Sequence, residues 1–197
     1  MGKIFCIMGK SGCGKDTIFK RLSMENTENL KEVVIYTTRP KRSNETEGVE
    51  YHFISKEELD NWEKQGKVIE SRCYNTVYGD WYYSTIDDGQ IELEKDNYLI
   101  IITLEAFMNF KKYYGEENVI PIYIGIDDGV RLQRALDRER EQQIPKYEEL
   151  CRRFLADSKD FSEENLKEAK ITRVFENYNL EKVIYEIKGF IREEIER

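Results

Sequence analysis

The chain has 197 residues, enough for one domain with a substantial core and, at most, an inserted lobe. Forty per cent hydrophobic residues exclude wholesale disorder, while 36% charged residues and a mean hydropathy of −0.70 exclude a membrane-embedded chain. A formal charge of −8 disfavours nonspecific binding to nucleic acid, so an anionic small ligand needs a local basic pocket.

The cysteines Cys6, Cys13, Cys73 and Cys151 show no CxxC spacing and only one histidine is present, which argues against a zinc site and a disulfide scaffold. A reducing cytoplasm is the expected setting. Neither export nor membrane attachment is expected, because the first apolar run, Ile4 to Met8, is far shorter than a span of ~20 residues.

That run has the length and composition of a buried parallel strand. It leads directly into Gly9-Lys10-Ser11-Gly12-Cys13-Gly14-Lys15, and helical composition follows from Lys15 to Met24. This is a GxxxxGK loop in its expected setting of strand, loop and helix. Successive backbone N–H groups can wrap polyphosphate oxygens there, the helix N-terminus adds its dipole, and Lys15 reaches the phosphate in transfer. A Gly-rich turn without function is the bland alternative, and the order of elements argues against it. Asp16 stands where the motif usually has Ser or Thr, and Thr17 follows. Asp16 can hold Mg²⁺ directly or through water, Thr17 can hold it instead, or Asp16 can serve only the helix N-terminus. Cys13 lies near that N-terminus, which can lower a thiol pKa, although a small loop-filling residue explains it equally well.

Val33 to Tyr36 reads as the next buried strand. From Tyr36 to Tyr83 the chain turns rich in Tyr, Thr and Arg, with strands expected near Glu50 to Phe53, Lys67 to Tyr74 and Tyr78 to Ser84. Ser55, followed by Glu57 and Glu58, reads as the N-cap of a short helix reaching about Lys64. The pattern predicts a small β-rich lobe at about 34–88 inserted into an α/β core of 1–33 and 89–197. Within it, Arg39 and Arg42, followed by Tyr51, offer forked donors and a phenol to a phosphate monoester. Taken alone, such a basic run is more often a solvated face.

Further strands are expected at Tyr98 to Ile102 and Ile120 to Ile126, and helices at Leu104 to Tyr113, Val130 to Glu141 and Lys146 to Ser158. An apolar stripe of period 3.6 runs from Leu180 to Ile195. Strands alternating with helices give an α/β fold with a central parallel sheet. Arg134 and Arg138, four apart, share one helix face and can converge on phosphates; a helix salt-bridged through Asp137, Glu139 and Glu141 is the plain alternative.

Together, the GxxxxGK loop, the segment Thr37-Thr38-Arg39 through Arg42, Glu45, Gly48, Tyr51 and Phe53, then Glu70 and Tyr78-Gly79, resemble the guanylate kinase family in content and order. The resemblance extends over most of the chain. It implies a P-loop kinase with an inserted nucleoside-monophosphate-binding lobe and a helical lid at about 134–150. The implied reaction moves the γ-phosphate of Mg²⁺-bound ATP to GMP or dGMP, giving ADP and GDP or dGDP. By position, Gly9 to Thr17 would bind ATP, and Arg39, Arg42, Tyr51 and Tyr78 would hold the acceptor's phosphate. Glu70 would bind guanine, and Lys15, Arg134, Arg138 and Arg153 would serve catalysis. ATP and a nucleoside monophosphate are the implied partners, with no nucleic-acid polymer; oligomeric state is not read from the sequence.

The chain departs from the family pattern in places. Thr103 stands where the family has an acid, with Glu105 nearby; Ile35 stands near a guanine-contacting hydroxyl; Asp80-Trp81 follows Tyr-Gly; and the interval from Glu70 to Tyr78 is one residue short. Two alternatives follow: a kinase for another nucleoside or deoxynucleoside monophosphate, and a non-catalytic binding module of the same fold. The intact Gly14-Lys15 argues against the module.

Overall fold

The computed structural model describes residues 1–43, 45–76 and 79–197. Its central sheet is built on β1 (Ile4–Met8), whose five residues are all buried. The strands beside it are β2 (Lys31–Glu32), β7 (Tyr98–Ile101), β8 (Val119–Gly125) and β9 (Val174–Glu176), in the order β2-β7-β1-β8-β9, and every pairing is parallel. Alternation along β1 explains why the run is apolar throughout. Ile4, Cys6 and Met8 face one cluster with Phe107 and Phe110, while Phe5 and Ile7 face another with Ile18, Phe175 and Ile187. Helix α3 (Leu104–Tyr114) covers the first face; α1 (Lys15–Glu25) and α7 (Leu180–Glu196) cover the second.

A second sheet of four strands is formed by β3 (Tyr36–Thr37), β4 (His52–Phe53), β5 (Val68–Thr76) and β6 (Gly79–Ile86), in the order β4-β3-β6-β5. Strands β5 and β6 form an antiparallel hairpin, and Ile69 of β5 joins the core cluster that α3 also feeds. Helix α2 (Lys56–Lys64) starts where expected, because Ser55 and Glu58 close a reciprocal capping box, and it buries Leu59. The remaining helices are α4 (Asp128–Arg140), α5 (Tyr147–Asp160) and the short α6 (Glu163–Glu168). Among the described residues, no helix is long and apolar enough to cross a membrane.

Several elements differ from their sequence expectation. Val33 to Tyr36 is not one strand, because its backbone changes partners along its length. Val33 N–H donates to Leu99 O at 3.2 Å, Val34 N–H turns to the Gln90 side chain at 3.0 Å, and Ile35 O accepts from His52 N–H at 3.0 Å. The apolar side chains are buried on both sides of the crossing, so composition could not mark the break. The strand expected from Glu50 shortens to His52–Phe53, since residues 46–51 form a turn closed by Gly48 N–H on Tyr51 O at 2.9 Å. Helix α4 begins two residues before Val130 because the Asp127 carboxylate caps Val130 N–H at 3.1 Å. Helix α6 and strand β9 lacked a sequence signal; β9 has only three residues, with Phe175 alone buried between two exposed neighbours.

The α7 stripe carries a stability prediction. Ile187 is fully buried against Phe175 and Ile7, so Ile187→Ala should lower unfolding free energy by ~2–5 kcal/mol. Tyr185→Ala on the opposite face, 79% exposed, should change it by less than ~0.5 kcal/mol. Urea denaturation of the two variants beside wild type checks both.

Candidate functional site

The loop from Gly9 to Gly14 leaves the C-terminal end of β1, the strand at which the chain's order in the sheet reverses, where open α/β sheets place their ligand crevice. Gly14 is the N-cap of α1 at φ 90°, and a Cβ there would collide with the Asn177 amide. Gly12, at φ 83°, would place a Cβ 2.6 Å from the Arg131 carbonyl oxygen. Only glycine meets both conditions. Asn177 holds the loop from the side, its Nδ2 donating to Cys13 O at 2.8 Å. No side chain caps α1, so its first-turn N–H groups are left to an external acceptor. The Lys15 ammonium lies 3.9 Å from the Asp16 carboxylate, and Asp16 and Thr17 are both exposed. Lys10 reaches Asp128 at 3.4 Å. Cys13 is buried, and desolvation pushes its thiol up despite Lys15 nearby, so it fills the loop and is not an activated thiol.

Sequence reasoning missed the residue that fastens this loop to its surroundings. Arg131 of α4 is 1% exposed. Its Nε donates to Asp128 at 2.6 Å, Nη2 to Ser158 Oγ at 3.3 Å and Nη1 to Ser11 O at 3.5 Å, and its guanidinium lies 3.8 Å from the Phe154 ring centroid. Nη1 is also 3.7 Å from Asp157 Oδ2, the same oxygen that accepts the Ser11 N–H at 2.7 Å. One buried cation thus joins α4, α5 and the loop. The neighbouring Leu132 is 38% exposed while the charged residue is inside; the Asp128-to-Arg131 spacing of three is the signal that was available.

Between α4 and α5 lies a cavity of about 120 Å³ lined by Ser11, Arg131, Arg138, Lys146, Arg153 and Phe154, among others. Arg138 and Arg153 therefore do meet at the loop. Arg134 does not line it and instead donates to Asn177 O at 3.2 Å. Arg153 is held by Glu149 at 2.8 Å, and with Arg152 it draws the Glu149 carboxyl down to about 2.

On the other side, Arg39 is buried and bidentate to Glu45 at 2.7 and 3.0 Å, with its guanidinium 5.4 Å from the Tyr51 ring centroid. The Arg42 side chain is exposed, and the Arg42 backbone N–H donates to Glu45 at 2.8 Å. Tyr51 is packed edge-on against Tyr83 and lines a cavity of about 220 Å³ together with Asp16, Glu32, Ile35 and Glu50. The cavity thus lies between the start of α1 and the smaller sheet. Tyr78 lies outside the described residues.

Glu70, on β5, is buried at the seam between the two sheets. Its Oε1 accepts from Thr85 Oγ1 at 3.0 Å and its Oε2 from Arg72 Nε at 3.1 Å. Burial raises its pKa above the ordinary 4.5, more than Arg72 and Thr85 lower it. Thr103 caps α3 through Ala106 N–H at 3.3 Å and lies 3.5 Å from Arg72 Nη1, whereas Glu105 is exposed.

A parallel sheet of this order, with a glycine loop and lysine at the end of its central strand and arginines around that loop, defines a P-loop kinase. The family model for guanylate kinase matches residues 1–194. The chain is similar to the guanylate kinase of Mycoplasma mobile, at 34% identity over 98% of this chain and 94% of that protein. It is also similar to the guanylate kinases of Mycoplasma genitalium (34%, over 72% of this chain) and Neisseria gonorrhoeae (39%, over 53%), the matches spanning 58% and 49% of those proteins. The solved guanylate kinase of Anaplasma phagocytophilum shares the fold, with a TM-score of 0.65 and 23% identity over all of this chain and 87% of that one. The chain belongs to the guanylate kinase family.

Removing Arg131 should be costly, because Asp157 and Ser158 lose their shared partner and the Phe154 face is uncovered. Arg131→Ala is expected to destabilise the fold by about 3 kcal/mol or more. Its denaturation midpoint in urea, compared with that of the exposed Arg140→Ala, gives the measurement.

Proposed function

We propose that this chain transfers the γ-phosphate of ATP to GMP or dGMP, releasing ADP and GDP or dGDP. The observation that carries the reading is Glu70, a buried carboxylate on a chain that also bears a phosphate loop. One carboxylate accepts from both N1–H and the 2-amino group of guanine, and adenine offers no such donor pair. Residues 34–88 then act as the acceptor-binding lobe on a core of 1–33 and 89–197, with a lid at about 134–150. The reaction is expected in the cytoplasm, in keeping with four free cysteines.

In this mechanism, the N–H groups of the loop and of the first turn of α1 hold the polyphosphate, and Lys15 neutralises the phosphate in transfer. Arg138 and Arg153, already at the loop, take up charge that spreads over the equatorial oxygens, and Arg134 acts from the same helix. Arg42 and Tyr51, with Arg39 and Tyr78, hold the acceptor's phosphate in line. No covalent enzyme intermediate is needed; closure of the lobes excludes water and aligns two anions. The residues present fit Mg²⁺, since Asp16, which lines the cavity that Tyr51 also lines, carries hard carboxylate oxygens, and Thr17 follows it in the chain. Bound with ATP, the ion would screen phosphate charge.

An ATP-consumption assay against a panel of nucleoside monophosphates tests the reading. Turnover with GMP or dGMP above all others is expected. Turnover that excludes both would reassign the acceptor, and no turnover with any would identify a binding module. Lys15→Met should lower transfer by at least ~10²-fold while leaving the thermal melt nearly unchanged, since the ion pair of the ammonium is with the exposed Asp16 carboxylate at 3.9 Å.

Acidity supplies a further check. Because burial raises the Glu70 pKa, the group takes up a proton at a pH above 4.5, and the protonated form loses acceptor capacity toward guanine. The KM for GMP should therefore climb on acidification, starting above the ordinary carboxylate range. Glu70→Gln should remove that limb and raise the KM at neutral pH, the two enzymes converging as Glu70 protonates.

A further inference from the structure

Glu70 and Arg72, two apart on β5, project from the same face of the sheet. The Arg72 side chain is 15% exposed and fixed at both ends of its fork, by Glu70 Oε2 at 3.1 Å and by Thr103 Oγ1 at 3.5 Å. Those two bonds use two of the five guanidinium N–H groups, and among the described residues no carboxylate other than Glu70 takes the rest. Each Glu70 oxygen likewise accepts one bond and keeps a second acceptor position open. The pair thus sets acceptors and donors side by side on one strand, with the Glu70 side chain 1% exposed and that of Arg72 15%.

We propose that Arg72 is a specificity-determining residue that donates to the 6-oxo group of the acceptor base, beside the carboxylate that reads positions 1 and 2. The inference rests on the GMP reading above and goes beyond it. Along one edge guanine offers the 2-amino donor, the N1–H donor and the O6 acceptor in sequence. Glu70 and Arg72 offer acceptor, acceptor and donor in the matching order. A 6-amino group would meet the guanidinium donor to donor, so Arg72 rejects adenine independently of Glu70. Thr103 contributes by fixing the guanidinium at Nη1.

The test is kcat/KM for GMP, 6-thio-GMP and IMP with wild type and Arg72→Ala. The thio analogue alters only the acceptor at position 6, and IMP lacks only the 2-amino group. Wild type should prefer GMP over 6-thio-GMP by roughly tenfold or more, the loss expected for weakening a bond to a charged donor. In Arg72→Ala, GMP should fall by roughly 10–100-fold and the preference over 6-thio-GMP should vanish, with the GMP-to-IMP ratio retained. Equal use of GMP and 6-thio-GMP by wild type would overturn the proposal, and this arm needs no variant to fold. A variant that loses the GMP-to-IMP ratio but keeps the thio preference would also overturn it, leaving Arg72 as a mere support for Glu70. Wild type that accepts another monophosphate and refuses GMP defeats the GMP reading itself, a result separable from both.

Discussion

A loop that is to offer backbone N–H groups to a ligand can satisfy few of them within itself, as with Cys13 N–H on Lys10 O at 3.2 Å, so its shape has to be imposed largely from outside. Here that support comes from three directions. Asn177, just after β9, takes the Cys13 carbonyl; Asp157, on α5, takes the Ser11 N–H; and Arg131, on α4, fixes Asp157 while reaching the Ser11 carbonyl. Two of the supports converge on Ser11 and the third acts on Cys13, and each comes from a different element. The placing of β9, α4 and α5 around the end of β1 is thus a condition of the site as well as of the core. Glycine at positions 12 and 14 is the complementary requirement, since the supporting groups approach too closely for any side chain.

Charge is organised by the same logic. The chain is acidic overall, yet Arg131, Arg138 and Arg153 line one cavity beside the loop, and several arginines already have a carboxylate partner: Arg39 with Glu45, Arg72 with Glu70, Arg131 with Asp128 and Asp157, Arg153 with Glu149. Buried guanidinium groups are tolerable only when paired, and removing one partner strands the other. Exposure separates their roles. Arg131 is enclosed and holds the loop's geometry, whereas Arg153 and its partner Glu149 are accessible, so a phosphate arriving there would compete with a carboxylate for the same donors.

Much of this was legible in the residues. The order of apolar runs and helical stripes gave the α/β class, and the Ser55/Glu58 spacing fixed the start of α2 to the residue. The loop was legible because its chemistry is local: strand, glycines, lysine and helix are contiguous. What failed to show has a common physical cause, which is dependence on distant partners. Val33 to Ile35 changes sheets through hydrogen bonds to residues 99, 90 and 52, none near in sequence. Arg131 is buried because Phe154 and Asp157 meet it, and no periodicity on α4 announces that. Arg134 and Arg138 share a spacing but diverge, one to the Asn177 carbonyl and one to the cavity. The Arg72 contact with Thr103 likewise joins residues 31 apart.

The crossing at Val33 to Ile35 also has a mechanical meaning. The chain enters the smaller sheet there and returns after β6 through Asp87 to Gln90, and the two passages are stitched together where Gln90 Oε1 accepts the Val34 N–H. Two tethers joined side by side behave as a pin. They fix the two passages against each other, while Ile69 in the core cluster and Arg72 on Thr103 at 3.5 Å tie β5 to α3 as a second joint between the sheets. A pair of substrates carried one on each sheet would then meet with an accuracy set at these two joints rather than at the loop.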